Sequence, residues 1–150
     1  MNALRKLYKE LTSLHWEIGF LDNTFEGIVR GDKLKRTLVT HNFPNSWFAD
    51  PFILDVTDDT IIVLVEEVTK KISKGRISKL VIDRRNNYVI EKKVILERPG
   101  HLSFPIIYRK DDKIYVYPEN SEDGVLNIYE YNPINEDLTL IHELSDKPLT

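Results

Sequence analysis

From Trp47 onward the chain repeats itself at a spacing of about 50 residues, which limits its possible folds more than any other feature. Pro51-Phe52-Ile53-Leu54 leads to Asp58-Asp59 and then to Ile61-Ile62-Val63-Leu64-Val65, which runs into Glu66-Glu67. Pro105-Ile106-Ile107-Tyr108 leads likewise to Asp111-Asp112 and to Ile114-Tyr115-Val116-Tyr117-Pro118, which runs into Glu119. Pro51 and Pro105 stand 54 residues apart, Glu67 and Glu119 52, and Gly75 and Gly124 49. An alternating strand follows each glycine, Arg76 to Ile82 and Val125 to Tyr131. An Asn-bearing turn then leads to a fourth strand, Tyr88 to Leu96 and Leu138 to Leu144. Four short strands in about 50 residues is the spacing of a β-propeller blade, and turn signals every 8–12 residues or so also suit a β-sandwich. The repeat favours blades.

The first segment has another period. Leu4, Leu7, Tyr8, Leu11 and Leu14 form one stripe of an amphipathic helix, with Asn2 as its cap. From His15 the period falls to two, and Trp16 to Phe20, Gly27 to Val29 and Leu38 to Thr40 read as short strands. The chain is therefore expected to be mainly β, with a helix over 1–14, edge strands over 15–46, one blade over 47–100 and another over 101–150. Two blades cannot close a ring, so the expectation is a homo-oligomer or the front portion of a longer chain.

Composition removes several functions. The 21 Lys and Arg against 24 Asp and Glu leave a charge of −3, which argues against nucleic acid as a partner. Without cysteine there is no thiolate zinc site or cysteine nucleophile. No apolar run approaches the ~20 residues of a membrane span, and Arg5, Lys6, Lys9 and Glu10 interrupt any signal-peptide core, so a cytoplasmic protein is the default. His15, His41, His101 and His142 lack paired ligand spacing, no phosphate-cradling glycine loop is present, and neither metal nor cofactor is expected.

The densest polar-aromatic cluster runs from His41 to Phe52 and holds Trp47 and Asp50. An indole beside a carboxylate suits a sugar, the ring taking its apolar face and the acid its hydroxyls. Glu66 or Glu67, and Glu119, end the second strands, where a carboxylate either faces a central channel or caps a loop. Alternation points the two adjacent glutamates to opposite faces without saying which faces the channel. His101 and Ser103 open the second unit where Trp47 and Asp50 open the first, and no nucleophile elbow surrounds Ser103.

The order Trp47-Phe48-Ala49-Asp50-Pro51-Phe52, Glu66-Glu67, Gly75-Arg76-Ile77, His101-Leu102-Ser103-Phe104-Pro105 and Pro118-Glu119-Asn120-Ser121, with Trp16-Glu17-Ile18-Gly19 upstream, resembles a known family. It is similar to the five-bladed propeller domain at the N-terminus of glucosamine inositolphosphorylceramide transferases, over about residues 15 to 145. More distantly it resembles the propellers of arabinanases, xylosidases and invertases. That resemblance implies a catalytic role for Asp50, ahead of Pro51. It also implies a second-blade aspartate, where this stretch reads Leu102-Ser103-Phe104-Pro105 and offers no carboxylate, and a third-blade glutamate, which cannot be assigned because the sequence ends at Thr150 and Glu119 lies in the second blade. The carboxylate set of a glycosidase is incomplete, and whether the chain is an enzyme stays open.

The expected function is a carbohydrate-binding or accessory module of a glycan-modifying system. Its ligand would be a carbohydrate or a nucleotide-sugar derivative, held by Trp47, Asp50, Glu67, His101, Ser103 and Glu119. The alternatives are the front portion of a propeller-type glycoside hydrolase or glycosyl transferase, and a protein-interaction scaffold.

Overall fold

The computed structural model describes residues 16–144. The helix expected over 1–14 lies outside them. Within them the chain is mainly β, in antiparallel sheets. Strands β1 (Gly19–Leu21) and β2 (Arg36–Leu38) form a small hairpin around a short helix, α1 (Phe25–Val29). Strands β3 (Ser46–Val56), β4 (Thr60–Thr69), β5 (Arg76–Asp83) and β6 (Tyr88–Leu96) form a four-stranded meander. Strands β7 (Ser103–Lys110), β8 (Lys113–Glu119), β9 (Asn127–Asn132) and β10 (Asp137–Glu143) form a second. In each meander, neighbours in sequence are neighbours in the sheet, as short Asp- and Asn-bearing turns require.

The repeat is visible in backbone detail. Asp50 and Phe104, each the residue before a proline, both have positive φ, at 49° and 43°. Both interrupt the first strand of their sheet at a bulge, between Ala49 and Phe52 and between Ser103 and Ile106. The flanking pairs match as well: Ala49 pairs with Glu66 and Ser103 with Glu119, then Phe52 with Leu64 and Ile106 with Tyr117. The equivalent of Glu119 is therefore Glu66. The spacing of Glu67 and Glu119 suggested otherwise, and the register corrects it by one residue, which exchanges the two faces of the strand.

The sheets also stack the same way round. Val63, Leu80 and Ile82 lie on the face of the first sheet that packs on Ile18 and Val39 of the hairpin segment. Their counterparts by register, Val116 and Tyr131 among them, lie on the face of the second sheet that packs on Leu54, Leu64 and Ile77. Each sheet presents one face backward and the other forward, and the hairpin covers the backward face of the first. Each fully buried aliphatic side chain in these layers contributes about 1.5–3 kcal/mol. Buried Lys79 adds a polar tie, bonding Glu91 on β6 at 3.0 Å and Glu136 in the β9–β10 turn at 2.5 Å.

Two local expectations change. Gly27 to Val29 belongs to α1 rather than to a strand, because the Thr24 hydroxyl accepts from the Gly27 amide at 3.1 Å and caps a helical turn. Strand β4 does not stop at Glu66-Glu67 but runs on to Thr69. Charge there is tolerated because both carboxyl groups find partners inside.

Candidate functional site

The two glutamates of β4 part company across the sheet. Glu67 is completely buried on the backward face. It accepts from Ser78 Oγ at 2.6 Å, Ser46 Oγ at 3.0 Å and Arg76 Nε at 3.2 Å, and from the Lys92 ammonium. Burial alone would raise its carboxyl, but the hydrogen bonds from Lys92, Ser78 and Arg76 outweigh it and hold the group below its usual range. Lys92 Nζ also stands 5.0 Å from the centre of the Phe43 ring, a cation–π contact. Every oxygen of Glu67 is committed, so its role is to hold β3, β4, β5 and β6 together. In the second sheet Asn120 and Asn127, both buried, take the places of Glu67 and Ser78.

Glu66 faces the second sheet and gathers the other predicted groups. Its carboxyl shares a hydrogen bond with Asp50 and feels the charge of Glu119. Burial first, then the bond to Asp50 and the negative charges of Asp50 and Glu119, push it up to about 7. Glu66 therefore keeps its proton well above the usual carboxylate range and is the member of this group that donates. Asp50 reaches this position through the strained bulge before Pro51, a conformation disfavoured for a pre-proline residue.

His101 completes the group. Its Nδ1 accepts from the Gly75 amide at 2.9 Å, which leaves the ring proton on Nε2, 3.1 Å from Glu66 Oε1. Its own amide donates to Glu122 Oε2 at 2.8 Å. A side chain at Gly75 would place its Cβ 2.2 Å from the Leu102 carbonyl oxygen and 2.7 Å from Glu66 Oε1, so only glycine permits this approach. Ser103 is buried and pairs with exposed Glu119. Trp47, half-buried, pairs with Val68 two residues before Ala49 pairs with Glu66, which sets it on the face of Glu66.

The structure thus brings together Asp50, Glu66, His101 and Glu119, with Trp47 on the same face, and assigns Glu67 to the interior. Glu66 was legible only as one of two alternatives. The link from Gly75 to His101 left no sequence signal beyond a glycine at a strand start. Among the described residues no group of three or more His, Asp or Glu side chains is arranged to hold a metal ion. No helix among them is long and apolar enough to cross a membrane.

A bulged repeat of this kind defines a sheet-stacking domain whose polar groups collect between its two four-stranded sheets, on the first and second strands of the one and the start of the other. Residues 35–150 match the family model described as "Glucosamine inositolphosphorylceramide transferase 1, N-terminal", and the chain belongs to that family. It is 29% identical over 108 residues to glucosamine inositolphosphorylceramide transferase 1 of Oryza sativa, in both the indica and japonica forms. That match covers 71% of this chain and 14% of the rice protein. The Arabidopsis thaliana protein of the same name is 30% identical over 86 residues, 57% of this chain and 11% of its own length. The chain therefore spans about one seventh of the rice relatives it matches. No solved structure matches it.

Proposed function

We propose that this chain is a carbohydrate-binding or accessory module of a glycan-modifying system, with its ligand at Asp50, Glu66, His101 and Glu119 beside Trp47. The observation that carries this reading is the gathering of Asp50, on a strained bulge, with Glu66 and with His101 Nε2, 3.1 Å from Glu66 Oε1. A raised carboxyl in Glu66 that donates when protonated, beside other side-chain oxygens that accept, meets hydroxyl groups in both senses, which is what a sugar edge requires. Membership of a family named for a sugar transferase supports the substrate class. The repeated bulge and the like orientation of the sheets support reading them as propeller blades rather than sandwich halves, since a sandwich packs two inner faces against each other.

The second reading is a front portion of a propeller-type hydrolase or transferase, favoured by a carboxyl group near 7. Carboxyl groups in direct hydrogen bond leave no room for a glycosidic carbon. Retaining enzymes hold theirs about 5–5.5 Å apart and inverting ones about 6.5–9.5 Å. This geometry supports binding over cleavage.

A glycan array tests the proposal. Wild-type protein should bind a sugar that Asp50→Asn binds at least tenfold more weakly, with near-UV circular dichroism unchanged; asparagine tolerates the positive φ. Equal binding by Asp50→Asn, or no glycan bound by the wild type, overturns it.

A further inference from the structure

On the opposite face of the first sheet, a cavity of 240 Å³ opens between the hairpin segment and β3. Its floor is apolar and buried, built by Ile18, Val39 and Phe48. Its rim is exposed and mixed in character: Trp16, with 65% of its surface accessible, Leu38, Glu17 and Thr40, with partly buried His41 beside them. None of these residues belongs to the acid pair.

The walls are fixed in place. The Val39 amide donates to the Ile18 carbonyl at 2.9 Å, and the Thr40 amide donates to the Asn87 carbonyl at 2.9 Å. The Val89 amide donates back to the Thr40 carbonyl at 2.9 Å, so the strand beneath the rim is bonded to β6. His41 Nδ1 accepts from the Phe43 amide at 3.2 Å. Its ring stacks on Phe43, with centroids 5.8 Å apart, and meets Phe48 edge-on at 4.9 Å. Burial, then the positive charge of Lys92, lowers the pKa of His41 from its usual value, so at neutral pH the ring is uncharged. With Nδ1 accepting, its proton sits on Nε2.

The rim therefore offers a flat aromatic surface, a carboxylate acceptor in Glu17, a hydroxyl in Thr40 and an N–H donor in His41. Glu67 and Lys92 behind the floor are paired with each other and leave little net charge there, the Lys92 ammonium lying over Phe43 and Phe48, 5.0 and 6.0 Å from the ring centres. An anion is disfavoured by Glu17 at the rim, close enough to act on His41. A drug-sized ligand is too large, since such sites take about 300–1,000 Å³. A single uncharged ring with an apolar face and several hydroxyl groups meets all the conditions.

We propose that this cavity is a separate sugar-binding site, in which one pyranose ring lies against Trp16 and hydrogen-bonds to Glu17, Thr40 and His41. The site stands whether or not the acid pair binds a glycan.

Saturation-transfer NMR and calorimetry with glucose, galactose, N-acetylglucosamine and glucosamine, on the whole chain, provide the test. One of the neutral sugars should bind with a Kd on the order of 1 mM, about 4 kcal/mol, as suits a single ring. Measured in an Asp50→Asn background, which removes the acid-pair site, Trp16→Ala and Glu17→Gln, both at exposed positions, should each weaken binding at least tenfold, and Ile134→Ser, at an exposed turn of the second sheet, should leave it unchanged. Binding that survives both rim substitutions, an equal loss on Ile134→Ser, or no binding to any sugar overturns the assignment. So does a cavity filled by the chain's own N-terminal leucines, shown by neutral-sugar binding that appears only when residues 1–15 are removed.

Discussion

The backbone amide of Gly75 donates to Nδ1 of His101 at 2.9 Å, while the Leu102 amide donates to the Gly75 carbonyl at 3.0 Å. One glycine of the first sheet thereby seats the start of the second and decides which imidazole nitrogen faces Glu66. The site and the packing of the sheets are consequently one construction.

Gly75→Ala should be among the most damaging single substitutions in the chain. Its methyl group would lie 2.2 Å from a backbone oxygen, so the sheets must separate. A loss of about 3 kcal/mol or more is expected in urea unfolding, at the upper end of ordinary point mutations. Gly31→Ala is the control: it has open space around it but φ of +82°, and should cost about 1 kcal/mol. Equal effects would show that the close approach at Gly75 is unimportant.

Glu66 makes stability fall as pH rises. Its folded pKa, about 7, lies above its unfolded value of 4.5, so the folded chain holds the extra proton between these limits. The Glu66 contribution is full below pH 4.5 and declines toward pH 7, by about 3 kcal/mol at most. Glu66→Gln, which keeps a donor toward Asp50, should flatten the profile and be the more stable protein at pH 8. Parallel profiles for the two proteins would refute the raised Glu66 carboxyl.

Glu67 acts in the opposite sense. Its folded pKa is depressed, so its contribution is present above pH 4.5 and lost as pH falls through the lower folded value. Glu67→Ala strands Lys92 and Arg76 and should cost about 3 kcal/mol, seen as a lower melting temperature. A variant with wild-type stability and impaired sugar binding would instead return Glu67 to the site.

Lys79 tests the value of the polar tie between the sheets. Lys79→Met replaces a buried cation by an apolar chain of similar length and leaves Glu91 and Glu136 with access to water, so stability should change by less than about 1 kcal/mol. Removing both acids, Glu91→Ala with Glu136→Ala, leaves the buried ammonium alone and should cost about 3 kcal/mol or more. The reverse order of severity would contradict this account.

Much of the fold could be read from period and spacing. Tyr88–Leu96 is a strand with the boundaries that alternation suggests, and the paired prolines mark the paired bulges. The helix at Phe25–Val29 was hidden because a five-residue turn has no periodicity, and its only signal is the Thr24 cap. The choice between Glu66 and Glu67 was hidden for a different reason. A strand period of two sends neighbours to opposite faces but does not label the faces.

Sequence alone determined the mainly β character, the two similar units and the acids that follow the apolar run of each second strand, because these follow from local patterns of apolar residues and turns. Tertiary structure decided which glutamate joins Asp50 and which is locked under Lys92, because the bulge at Asp50 sets the register across the sheet. It also decided that Trp16 and His41, far from the acid pair, rim one cavity. Both outcomes depend on which face of a sheet meets which neighbour, a long-range property that no local pattern encodes.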